Sequence, residues 1–106
     1  MAKHYVYQIP KSERELATQS VFYSLSDAFT KADAKKAFIA GKYKRVADVE
    51  ALGNPEVKDL VNNDRGSTKI LKLGALRNVN VGDLIYNEET KLYFIVSATG
   101  FDRLKI

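Results

Sequence analysis

A chain of 106 residues, 45% of them hydrophobic and carrying a net charge of +4, has enough apolar material for one core and needs no second domain. The absence of Cys excludes a disulfide framework, a thiolate nucleophile and sulfur-bound zinc, and suits a reducing compartment. No apolar run approaches the roughly 20 residues of a membrane-spanning helix, and Met1-Ala2-Lys3-His4-Tyr5 lacks the apolar core of a signal peptide, so a soluble, cytoplasmic protein with no membrane contact is expected.

In chain order, Tyr5, Tyr7 and Ile9 alternate with His4, Val6 and Gln8, a period of two that predicts a strand ended by Pro10. Ser12 followed by Glu15 is a capping-box spacing and predicts a helical turn or two, whereas Val21-Phe22-Tyr23 suits a strand better than a helix. Thr30 and Asp33 repeat the capping spacing; Ala34, Ala37 and Phe38 form an apolar stripe, and Gly41 supplies the left-handed residue beyond a helix over about 27–40. Tyr43 to Ala51 is read as a strand, with a helical turn as the alternative. Asn54-Pro55 predicts a helix start, Asn54 as the capping side chain, for a helix over about 55–62 with Val57, Leu60 and Val61 on one face.

Residues 62–67 form a loop rich in Asn, Asp, Gly and Ser, and 68–73 a strand of weak pattern. Val79 to Tyr86 and Leu92 to Ala98 form the clearest feature, a hairpin closed by Asn87 to Lys91. Its second strand is apolar on both faces and is therefore expected to be central and covered by a helix on at least one side. The fold class that follows is α+β: one domain over 1–106, a small, mainly antiparallel sheet with a C-terminal β-hairpin, packed by two or three helices.

Charge is distributed in blocks. Residues 31–45 carry a local +5, 48–64 a local −4 and 65–77 a local +4. Such blocks can pair across a folded surface, or the basic ones can steer an acidic partner. Tyr43 beside Lys42, Lys44 and Arg45 is the one place where an aromatic interleaves with a basic cluster. Together with Arg65, Lys69 and Arg77 these residues are the candidates for partner binding, Arg77 and Tyr43 as anchors.

Catalytic chemistry finds no foothold. His4 is the single imidazole, close to a terminus of the kind that is often poorly ordered. Gly66-Ser67-Thr68-Lys69 reverses the order of a phosphate loop and lacks its strand-loop-helix setting, so it is read as a loop. Glu88 and Glu89 sit on a hairpin tip, and Asp48 and Glu50 share a strand face without an apolar pocket to separate their roles. Asp83, directly after Gly82, is read as a structural acid that bonds nearby backbone. Neither a cofactor nor a metal site is expected, and the chain is read as a non-enzyme.

From Tyr43 onward, the residues Tyr43, Val46, Ala47, Val49, Glu50 and Ala51, then Asn62-Asn63, then Arg77, Val81, Gly82 and Asp83, and last Gly100-Phe101 stand in a recurring order. In it the chain resembles a family of small, mostly uncharacterised accessory proteins of tailed phages and plasmids, in which an Arg-Ser-x-Ser-Val-Gly-Asp turn opens a hairpin and Gly-Phe closes it. Asn78 and Asn80 replace the family's Ser residues with other short polar side chains. The resemblance covers about 60 of the 106 residues, excludes 1–42, and implies mobile-element origin and accessory function in the host cytoplasm, with no named activity. The functional reading is an accessory protein that binds and modulates a host macromolecule, most simply inhibiting a host protein. The alternative is a small nucleic-acid-binding protein that uses basic segments 31–45 and 65–77.

Overall fold

A computed structural model describes residues 2–9, 31–74, 76–79, 82–97 and 100–105. Within them lie six strands and two helices: β1 (Ala2–Gln8), α1 (Lys31–Ile39), β2 (Lys44–Ala51), α2 (Asn54–Asn63), β3 (Ile70–Lys72), β4 (Leu84–Asn87), β5 (Leu92–Ser97) and β6 (Gly100–Leu104). The strands form one sheet in the order β3-β2-β1-β4-β5-β6, antiparallel at every pair. A walk of two strands (β2, β3) and one of three (β4, β5, β6) thus leave β1 in opposite directions, and the chain must return from the β3 edge to the centre before β4.

β1 lies between β2 and β4, and its alternation gives it two usable faces. His4, Val6 and Gln8 are fully buried on one, while Tyr5 and Tyr7 are half-buried on the other. The expectation of a loose terminus around His4 is corrected here: ladders on both sides hold it. His4 Nδ1 lies 3.0 Å from the Ala2 carbonyl oxygen and Nε2 3.4 Å from Asn87 Nδ2, so a ring carrying its proton on Nδ1 meets both partners.

Each sheet face has its own core cluster. On one face α2 packs Val57 and Val61 against Val6, Val49, Ile85 and Val96, β-branched residues that suit a pleated surface. A bulge between Val6 and Tyr7 turns both Val46 and Ala47 inward. On the other face α1 places Ala34 and Ala37, with Phe38 at its margin, over Ile9, Tyr43, Leu84, Ile95 and Leu104.

The helix ends follow from local chemistry. At the end of α1, Gly41 (φ +75°) donates to Phe38 O and Lys42 N donates to Ala37 O, the paired bonds of a Schellman motif. For α2 the cap differs from expectation: extended Gly53 occupies the N-cap without a side-chain bond, and Asn54 is already helical. Pro55 follows in the first turn, where its missing N–H costs nothing. The predicted features at 12–15 and 21–23, and the start of the helix at 27–30, lie outside the described residues.

The hairpin is present as β4 and β5. Asn87 closes it, its side-chain oxygen accepting from Glu89 N and Thr90 N, and Lys91 takes φ 60°. Val79 is not in the strand but is fully buried ahead of it. β5 has two neighbours, yet the central strand is β1, because the closing Gly-Phe belongs to a further strand, β6, that takes the edge.

Gly82 is buried with φ +93°, donates to Val96 O and accepts from the Tyr43 hydroxyl. Gly82→Val is expected to cost about 1–3 kcal/mol in backbone strain alone. Phe101 is only half-buried against the α2-face cluster, so Phe101→Ala is expected to cost less than the roughly 3–5 kcal/mol of a fully buried aromatic. Urea unfolding of both variants checks the order; a Gly82→Val midpoint equal to the parent's would contradict it.

Candidate functional site

The residues that survive as accessible lie on the face that α1 only partly covers. Strand register sets a row across all six strands there: Leu71, Asp48, Tyr5, Tyr86, Tyr93 and Leu104 are direct partners in sequence along the sheet. Beside it runs Arg45, Tyr7, Leu84, Ile95 and Asp102. Because side chains in a strand alternate, both rows point to the same side.

The tyrosines fill this face by packing on one another. Tyr5 and Tyr86 stack at 5.4 Å between centroids, Tyr86 and Tyr93 lie at 4.5 Å, and Phe38 of α1 meets Tyr93 edge-on at 5.2 Å and Tyr7 at 5.6 Å. The Arg45 guanidinium caps the ladder 3.7 Å above the Tyr5 ring. It is held there by Asp48, whose carboxylate accepts from Nε at 2.7 Å and from the terminal nitrogen at 2.6 Å. Such bidentate pairing holds the fork over the ring, which a lysine cannot reproduce. Cross-strand aromatic pairs and the cation–π contact together stabilise an otherwise open face by a few tenths to about 1 kcal/mol each.

The phenols of Tyr5, Tyr7 and Tyr93 are favoured in their neutral form. Tyr5 donates to Glu88, and that bond, followed by loss of hydration, raises its pKa above the ordinary value of about 10. For Tyr7 and Tyr93 burial is the leading cause, with a neighbouring tyrosine, Tyr93 and Tyr86 respectively, adding to it. At the β3 end of the same face, Lys3, Asp48, Glu50, Thr68, Lys69 and Leu71 line an open cleft of about 130 Å³. Among the described residues no three of His, Asp and Glu gather as metal ligands.

The sequence-derived candidates are divided by the fold. Arg45 belongs to the tyrosine face and Lys69 to its cleft, 3.8 Å from Glu56. Lys44 is exposed and Lys42 half-buried at the start of β2. Tyr43 is 7% exposed, packs at 6.3 Å from Phe38 and donates to Gly82 O. Arg77 donates to Ile9 O at 2.6 Å and lies 4.0 Å from the fully buried Asp83. Arg65 donates to Val61 O, Leu76 O and Asn78 Oδ1. The last three are thus tied into the fold, and their charges and hydroxyl are aimed at backbone.

Ser67 behaves as turn chemistry, its hydroxyl accepting from Lys69 N. Tyr5, Tyr7, Tyr86 and Tyr93 do not stand out as a group in the sequence, where they are spread over three strands. The available signal was their placement: Tyr5 and Tyr7 share a parity in β1, and Tyr86 and Tyr93 are equidistant from the hairpin tip.

No family model matches the chain, and comparison with curated proteins and with solved structures returned no match.

Raised folded-state values for three phenols mean that their contribution to stability is complete below about pH 10 and is lost as pH rises through the folded values. Ultraviolet titration of the native chain is expected to show a late-ionising tyrosine fraction that moves to about pH 10 in denaturant. Tyr5→Phe should remove one member of that fraction. A native titration with every tyrosine at the denatured midpoint would contradict the packing described.

Proposed function

We propose that this chain is a non-catalytic binding module, of the accessory kind carried by phages and plasmids, that engages and modulates a host protein through the tyrosine face. The observation that carries the reading is the composition and geometry of that face: four half-buried tyrosines and an arginine, locked side by side on a rigid sheet. Tyr and Arg are the residues that dominate protein-interface energetics, because they bring large contact area with few rotors to freeze. Here the freezing has been done in advance by the ladder itself, which lowers the cost of association.

The same geometry lends less support to nucleic acid as the partner. Base stacking requires open ring faces, and the faces of Tyr5 and Tyr86 are taken up by Arg45, by each other and by Tyr93. Phosphate binding requires unneutralised cations, and Arg45 is paired in bidentate fashion with Asp48.

Capture of a partner from bacterial lysate, with and without nuclease, followed by kinetics on the purified partner, tests this. Binding is expected to survive nuclease, and Tyr86→Ala or Arg45→Ala to weaken it by about 2 kcal/mol or more, mainly through faster dissociation. Lys58→Ala, on exposed α2, should leave it unchanged. Loss of every partner on nuclease treatment, or a steep salt dependence abolished by removing Lys42, Lys44 and Arg45, would favour the nucleic-acid alternative and sink the proposal.

A further inference from the structure

The outer edge of β3 is paired with no described strand, and it is unusually apolar for such a position: Leu71 is 59% and Leu73 49% exposed. Edge strands usually carry features that discourage further pairing, and Lys69 and Lys72 could serve that end. Whether they do depends on register. Glu50 N donates to Lys69 O and Leu73 N to Val46 O, so Lys69, Leu71 and Leu73 bond inward to β2. By ladder alternation the peptide groups of Ile70 and Lys72 point outward, except that Ile70 N already donates to Ser67 O.

We propose that two copies of this chain associate edge to edge through β3, antiparallel, with the twofold axis at Leu71. The alternatives are excluded by chemistry on that edge. An axis at Lys72 sets two lysines directly opposite, which repel. An axis at Ile70 relies on an N–H that is already used, and an axis at Leu73 requires Gly74, whose N–H turns inward to Val46 O. With the axis at Leu71, that residue meets its own copy in the close, non-hydrogen-bonded position. Lys72 N–H donates to Ile70 O of the second copy, Lys72 lies beside Ile70, and Lys69 lies beside Leu73, so no like charges oppose.

The result is a continuous twelve-stranded sheet with both tyrosine faces on one side. On that same side, Leu73 of each copy adjoins the second copy's cleft of Lys3, Glu50 and Lys69. A three-residue edge buries less than the roughly 1,200 Å² of stable assemblies, so the dimer is a concentration-dependent one. This inference does not depend on the identity of any host partner.

The chain has no cysteine, which makes the register directly measurable. Sedimentation of the full chain over a concentration series is expected to show the apparent mass doubling. Leu71→Cys should cross-link to a disulfide dimer in a glutathione buffer well ahead of Leu73→Cys, since only the former meets itself at disulfide distance. Lys72→Pro removes the outward N–H without touching the β2 ladder and should abolish the dimer while keeping the parent's circular dichroism. Should that variant unfold, Leu71→Lys at the same exposed edge replaces it. A chain that stays monomeric at every concentration, with Leu71→Cys no faster than Leu73→Cys, overturns the proposal and leaves the edge to a strand of another protein. A dimer indifferent to both edge variants overturns it equally.

Discussion

The sheet depends on a buried polar junction at the end of β1. After β3 the chain stands at the outer edge and must cross back to the centre, and the crossing segment 76–79 has no strand ladder to satisfy its backbone. Gln8 serves it from beneath: its amide nitrogen donates to Arg77 O at 3.0 Å and to Asp83 Oδ2 at 3.1 Å, and its oxygen accepts from Arg77 N at 3.0 Å. Asn62 of α2 does the same for Val79, accepting from its N–H at 2.7 Å and donating to its carbonyl. A buried backbone group left without such a partner costs roughly 1–3 kcal/mol, so two amide side chains here decide whether the crossing is tenable. Asp83 is wholly inaccessible, and this arrangement sets Gln8 Nε2 on its carboxylate with the Arg77 guanidinium at 4.0 Å.

This junction explains why the functional surface is where it is. By fixing β4 against β1 it brings Tyr86 opposite Tyr5, and β5 then brings Tyr93 opposite Tyr86. A slip of one residue at β4 would turn Tyr86 and Tyr93 to the face opposite Tyr5, because side-chain direction alternates strictly. The residues that perform the fixing are thereby withdrawn from the surface: Arg77, Arg65 and Tyr43 each spend their polar atoms on backbone. What remains for contact is the tyrosine face with Arg45 and the apolar β3 edge.

Local chemistry was legible in the sequence where one or two residues determine it. Gly41 as a helix stop, Tyr43 to Ala51 as a strand, seen from Lys44, and the hairpin closed by Asn87 to Lys91 follow from short-range rules that the fold obeys, whereas Asp83, read as an acid that bonds nearby backbone, accepts at Oδ2 from the distant Gln8 side chain. The cap of α2 was misread because extended Gly53 meets the first turn without a side chain, and Asn54 is free to be helical. Strand order was illegible for a different reason. Nothing local in Ala2–Gln8 says that it will be central, and β6 is five residues with a Gly and two charges, a weak pattern that only its partner β5 makes a strand. The tyrosine face is a product of that order, so it could not be read before it. The basic clusters, by contrast, were conspicuous in sequence and were dispersed by folding.

Gln8 and Asp83 act as one unit at this junction, and a double-mutant cycle measures that directly. Urea unfolding of Gln8→Ala, Asp83→Ala and the double variant is expected to give single losses that do not add: each alone strands buried polar groups of the other, and the coupling should be about 1–3 kcal/mol. Losses that add to within about 0.5 kcal/mol would mean that the two side chains act independently, and that the crossing is held by something other than the junction described.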